Sequence, residues 1–208
     1  MVKILYVINK STDGGVVSST RNRINAFISR GIEAEVFFLA RGDGAKMFRE
    51  IPHYYIENTS HFQQMVEKGG YDCIIFVYSL DYLKYLPNNY QGKKIYELRG
   101  WSQGVVKQLK KKNISKSVDA IVCIAKYLEP LVKPYFREDV PIFIDGNTVD
   151  PIFHYLNASK RTWAESPKPI MGHSVIAFVG RVEGLKNWKE FVKIYRMLEK
   201  NIRSKPGF

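Results

Sequence analysis

The chain has 208 residues, 45% of them hydrophobic and 25% charged, which is enough apolar matter for a sizeable α/β core. No apolar run approaches the roughly 20 residues of a membrane span, and the opening MVKILYVINK is too short, and lacks the cleavage-type flank, for a signal peptide. A net charge of +12 and a pI near 9.6 point to phosphates, anionic membranes or nucleic acid without choosing among them.

KILYVI at 3–8 reads as a buried strand. Residues 16–30, VVSSTRNRINAFISR, place Val17, Ile24, Phe27 and Ile28 on one helical face, with Gly31 as the stop. EVFFLA reads as a second strand and YYIEN as a short third. HFQQMVEKGG reads as a helix ended by glycines, and DCIIFVY as a buried strand. KKIYEL is a further strand, followed by a helix over about 101–113. VDAIVCIA is a strand, KYLEPLVKPYF a proline-interrupted helix and VPIFID a closing strand.

Near-continuous apolar runs predict strands covered on both faces, and their alternation with helices predicts parallel βαβ units. The expectation is therefore a doubly wound, Rossmann-like α/β domain over 1–150, with ligands held beyond the carboxyl ends of its strands. Residues 151–173, with three prolines, read as a linker or crossover. SVIAFVG and NWKEFVKIYRMLEKNI then open a second domain at 174–208, with Trp188, Phe191, Val192, Tyr195 and Leu198 on one helical face. One strand and one helix cannot bury a core alone, so either the remainder of that domain is expected outside this sequence, which is the favoured reading, or the pair is an appendage docked on the first domain.

Cys73 and Cys123 sit in apolar runs and read as buried free thiols. His53, His61, His154 and His173 have no ligand spacing, so no metal site is expected. In NKSTDGGVVSST, Gly14 and Gly15 lie between a strand and a helix, where backbone N–H groups can approach an anion; a tight turn without a ligand fits the same residues. The loop is neither GxGxxG nor a Walker motif, which argues against a dinucleotide-binding dehydrogenase. YELRGWSQG gathers Glu97, Arg99 and Trp101 at a strand end. A carboxylate beside a guanidinium can orient a hydroxyl, contact a phosphate, or simply form a structural ion pair.

IDGNTVDPIF, with Asp145, Gly146, Asn147 and Asp150, reads as a capped turn into the linker. GRVEGLKN sets Arg181 and Lys186 between a strand and a helix, where they would meet a diphosphate or stand as surface cations. Lys107, Lys110, Lys111, Lys112 and Lys116 surround the side of a helix opposite Val105, Val106 and Leu109. That is a solvated face or a site for an anionic membrane or polyanion. No nucleic-acid-binding motif is present, and no nucleic acid partner is expected.

Taken in order, KILYVINKSTDGGVVSSTRNRINAFISRGIEAEVFFL, VDAIVCIAKYLEPLVK, PIFIDGNTVDPIF and IAFVGRVEGLKNWKEFVKIYRML resemble the retaining glycosyltransferases of family four. Those enzymes have the GT-B architecture, two Rossmann-like domains facing each other across a cleft. The resemblance implies a hexosyltransferase of polysaccharide biosynthesis that moves a sugar from a nucleotide-sugar donor to a glycan or lipid-linked acceptor. It implies that Arg181 and Lys186 contact the donor diphosphate, that Gly14 and Gly15 lie near the same phosphates, and that Glu97 and Arg99 have catalytic or substrate-facing roles.

With no D-x-D in the chain, a metal-independent site with no cofactor is expected. The basic helix suggests acceptor or membrane contact through Lys107, Lys110, Lys111 and Lys112, in a cytoplasmic protein peripheral to the inner membrane face. Two departures stand out: GNTVDPIF replaces the family's N-G-V-D followed by Phe, and the family's histidine near YELRG is absent. The family's paired-glutamate segment lies beyond residue 208, so the chain alone is expected to be inactive. The competing expectation is a non-catalytic Rossmann-like module that binds a phosphorylated ligand or a protein.

Overall fold

The computed structural model describes residues 1–11, 14–111, 117–147, 178 and 187–203. The chain divides into two compact units, Met1–Ala158 and Ser159–Phe208. In the first, the apolar runs form β1 (Lys3–Ile8), β2 (Glu33–Phe38), β3 (His53–Tyr55), β4 (Cys73–Val77), β5 (Lys93–Leu98), β6 (Ala120–Cys123) and β7 (Ile142–Ile144). Every neighbouring pair is parallel, and the order across the sheet is β3-β2-β1-β4-β5-β6-β7. The chain leaves β1 toward one edge and returns through β4 toward the other. The reversal of strand order lies between β1 and β4, where ligands of such sheets collect.

Strand residues alternate between two buried layers, which is why the runs are apolar almost throughout. Leu5, Val7, Phe37, Ile74, Phe76, Tyr96, Leu98, Ile121 and Cys123 face one layer. Phe62 and Val66 from α2 (Thr59–Gly69) and Val105 and Leu109 from α3 (Gln103–Leu109) pack there. Ile4, Tyr6, Ile8, Val36, Phe38, Ile75 and Val77 face the other layer, under Val17 and Ile24 of α1 (Gly15–Ile28). The fold is thus an α/β, Rossmann-like sheet with helices on both faces.

Local chemistry sets the helix ends. α1 closes through Gly31 at φ +77°, where the Ile32 N–H returns to the Phe27 carbonyl at 3.1 Å. Ile28, expected on the apolar face, is the final residue of α1 and remains 43% exposed. α2 is capped by Asn58 Oδ1, which accepts the His61 N–H at 2.8 Å, and stops at Gly70 with φ +61°. α3 begins at the Ser102 cap and ends at Leu109, shorter than the expected span; residues 112–116 lie outside the described ones. The proline-rich segment is one α turn, α4 (Glu129–Val132), between 3-10 turns at Lys126–Leu128 and Lys133–Tyr135. Pro134 has no N–H to extend the α ladder.

The expected linker at 151–173 and all of the following strand except Phe178 lie outside the described residues. In the second unit, α5 (Trp188–Arg203) packs Phe191 against Phe178, ring centroids 5.4 Å apart. Trp188 and Val192 are half-buried as its apolar face predicts, whereas Tyr195 and Leu198 are exposed.

Tyr6 and Tyr96 are buried on opposite faces of the sheet. Burial raises both phenol pKa values, with the Glu97 charge adding to the shift of the first and Tyr78 to that of the second. Their contribution to stability is complete below the unfolded tyrosine pKa of about 10. Above it, the unfolded chain releases protons that the folded chain retains. Urea unfolding between about pH 9 and 11 is therefore expected to show stability falling, by at most about 1.4 kcal/mol per pH unit for each phenol. Constant stability over that range would contradict the burial of these hydroxyls.

Candidate functional site

The loops at the carboxyl edge of the sheet bring together the start of α1, the end of β5 and the segment after β7. Glu97 lies within β5, on the face opposite Tyr96 and Leu98, so the pleat turns it toward α1. It is 1% exposed and needs cationic partners there. Arg23 of α1, also buried, places Nη1 2.9 Å from Glu97 Oε1. Arg99, just beyond the strand, pairs with the same oxygen through Nη2. The contacts at Oε1 are ion pairs rather than aligned hydrogen bonds.

Arg23 also holds the segment after β7. Its Nη2 donates to the carbonyls of Asp145 at 3.0 Å and Gly146 at 2.7 Å, and lies 3.0 Å from Asp145 Oδ2. Arg99 Nη1 donates to Asn147 Oδ1 at 3.1 Å and Nη2 to Thr20 Oγ1 at 3.2 Å, while the Ser19 hydroxyl donates to Asn147 Oδ1 at 3.2 Å. Three remote segments are therefore joined by two guanidiniums. Burial lowers the Arg99 pKa from its ordinary value; Glu97 opposes the shift and Arg23 adds to it. Counting only buried groups, two cations face one carboxylate, because the Asp145 side chain is 62% exposed.

At the amino end of α1, Gly14 caps the helix without a side-chain hydrogen bond. A Cβ added at Gly14 or Gly15 would meet nothing within 4 Å, and the Gly14 φ of 167° is ordinary extended backbone. Neither packing nor strain requires glycine at these positions. The first turn of α1 holds no acidic residue to occupy the positive end of the helix.

At the strand-order reversal, Tyr78 leaves β4 at φ +66°, a left-handed conformation that costs a non-glycine residue about 1–2 kcal/mol. The next residue, Ser79, joins Asp81 and Gln108: its hydroxyl donates to Asp81 Oδ2 at 3.1 Å and accepts from Gln108 Nε2 at 3.2 Å. Sequence patterns indicated none of this network.

The expected site residues are dispersed differently from their order in the chain. Glu97 and Arg99 are together but buried, and Gly14 and Gly15 are open. Lys107, Lys110 and Lys111 are exposed on and just after α3, with Lys111 Nζ 3.7 Å from Asp81 Oδ1. Lys112, Arg181 and Lys186 lie outside the described residues. Trp101 turns away to Tyr135, ring centroids 6.2 Å apart. Asn147, expected only in a capped turn, holds Arg99 and Ser19.

Arg23, Ser19 and Thr20 escaped the sequence reading because their helix was read by its apolar face alone. The usable signal was Glu97 itself, a charge inside an apolar strand that demands a cation on the covering helix. Cys73 and Cys123 are free, and burial pushes both thiols up to about 11, so neither is a reactive thiolate near neutral pH. Among the described residues, no group of three or more His, Cys, Asp or Glu is placed to hold a metal ion. Nor is any described helix long and apolar enough to cross a membrane.

The sequence matches no family profile and no curated protein. Among solved structures, it resembles Anabaena Alr3699/HepE, crystallised in complex with UDP and glucose, with a TM-score of 0.56 at 14% identity. The match covers 73% of this chain and 47% of HepE, so the chain spans about half the length of that protein. At this identity the likeness establishes a shared Rossmann-like α/β fold.

Exchanging Glu97 for Gln removes the carboxylate between two buried guanidiniums. Urea unfolding of Glu97→Gln is expected to show a loss of about 3–5 kcal/mol. A loss below about 1 kcal/mol would mean that the cluster is hydrated and does not hold α1 in place.

Proposed function

We propose that this protein transfers a sugar from a nucleotide-sugar donor to a glycan or lipid-linked acceptor, as a metal-independent, retaining hexosyltransferase acting at the inner membrane face. The observation that carries the reading is the open amino end of α1, at the carboxyl edge of a sheet whose fold resembles that of a protein crystallised with UDP and glucose. Backbone N–H groups and the helix dipole at such an end favour a diphosphate, and glycines lacking a structural reason leave room for its close approach. The cations of Arg23 and Arg99 lie in the cluster that fixes this helix, where Glu97 and the exposed Asp145 balance them.

In this reading, the main catalytic contribution is stabilisation of the departing nucleoside diphosphate by fixed dipoles and cations. Gly14 and Gly15 admit the diphosphate, and Arg181 and Lys186 supply further charge to it. Glu97 and Arg99 act as positioning residues, because their burial keeps them from the reacting atoms. Lys107, Lys110 and Lys111, with Lys112, meet an anionic acceptor or membrane surface. The 208-residue chain is proposed to bind nucleotide.

Gly14→Ala and Gly15→Ala separate the fold from the function. Both variants are expected to unfold in urea within about 1 kcal/mol of the parent, with Gly15→Ala on the stabilising side because alanine suits a helix better. Calorimetric affinity for UDP, GDP or ADP, whichever binds the parent best, is expected to fall at least about tenfold in each. Unchanged affinity in both would reject the diphosphate site.

A further inference from the structure

The amino-terminal edge of the sheet carries a concavity of about 460 Å³ between the end of α2, the start of β4 and the loop into β5. Its size falls within the roughly 300–1,000 Å³ of small-ligand sites. The five residues of β4, at about 3.3 Å each, separate it from the carboxyl edge by roughly 16 Å. It is therefore distinct from the α1 site.

The lining is chemically specific. Tyr90 offers a half-exposed ring, an apolar surface for the C–H face of a pyranose. Asn89 and Gln91 are exposed amides, each with both donors and acceptors, and Gln91 Nε2 already donates to the Asn89 carbonyl at 3.2 Å. Asp72 Oδ2 already accepts the Lys3 N–H at 2.8 Å, which leaves its Oδ1 and the Glu67 carboxylate as acceptors for hydroxyls, and with Lys93 the lining residues carry one negative charge in excess. In a chain of net charge +12, that local sign disfavours a second phosphate ligand. The wall is also built in: a Cβ on Gly92 would lie 2.7 Å from the Tyr71 carbonyl oxygen and would collide with the Tyr90 phenol. The absence of a side chain there lets the Tyr90 ring lie against the strand.

We propose that this cavity binds a neutral saccharide, stacked on Tyr90 and hydrogen-bonded by Asn89, Gln91 and the two carboxylates. The proposal needs no nucleotide and stands apart from the transferase reading, since binding here is measured without a donor.

Amide chemical shifts of the full 208-residue chain, titrated with maltohexaose, cellohexaose and chitohexaose, provide the test. At least one sugar is expected to shift Gly70, Gln91 and Gly92 with saturation, and to leave Gly14 and Gly15 unmoved. Tyr90→Ala is expected to weaken that binding at least about tenfold, and Gln91→Ala, an exposed change that spares the fold, by about threefold or more. Should Tyr90→Ala fail to fold, Gln91→Ala decides. The proposal is overturned if none of the three sugars shifts these amides, if the folded variants bind like the parent, or if UDP shifts the same amides more than any sugar.

Discussion

The carboxylate of Glu97 meets Arg23 and Arg99 where all three side chains are almost fully excluded from water. Removing such ions from water costs several kcal/mol each, and the cost is recovered only when opposite charge and hydrogen-bond partners are held close by. Two guanidiniums do this, each dividing its contacts between Nη1 and Nη2. Arg23 reaches a carboxylate, two successive carbonyls and Glu97; Arg99 reaches Glu97, Thr20 and Asn147. A lysine ammonium has neither the fork nor the reach for this arrangement. A hydrophobic patch of equal volume would glue the same elements together, but it would not fix the angle of α1 or the path of residues 145–147.

That angle matters because α1 begins at the edge where parallel sheets of this order collect ligands. The same helix serves three purposes along its length. Its glycine start is open, its middle turn holds the ionic cluster through Ser19, Thr20 and Arg23, and Val17 and Ile24 bury its apolar stripe. A strained Tyr78 and the Ser79–Asp81–Gln108 network complete the edge beside it. The opposite edge has a different character, with a tyrosine, amides and a slight negative excess. The two ends of one sheet are thus the proposed sites of an anion and of a neutral polyol.

The fold was legible because burial on both faces leaves a plain signature. Strands such as KILYVI and DCIIFVY carry apolar side chains toward two layers at once, and each run expected up to residue 145 forms a strand of the sheet. The site was legible only in part. The glycine pair stood out because it breaks the pattern between a strand and a helix, and YELRG stood out because it puts charge at a strand end. Periodicity could not show that Glu97 points inward, since one residue of register decides the face. Arg23 was hidden for a related reason: a helical face containing Ser19, Thr20 and Arg23 reads as solvated until the strand beneath it is known to carry a charge. Asn147 reached the cluster through tertiary contact alone, from a turn whose local chemistry already explained it.

The most direct measurement is an amide chemical-shift map of the 208-residue chain with UDP added. The account predicts that the amides at the start of α1, Gly15 to Val17, move most, and that those around the Gly92 cavity stay in place. Undisturbed α1 amides at saturating nucleotide, or shifts centred on the amino-terminal edge, would contradict it.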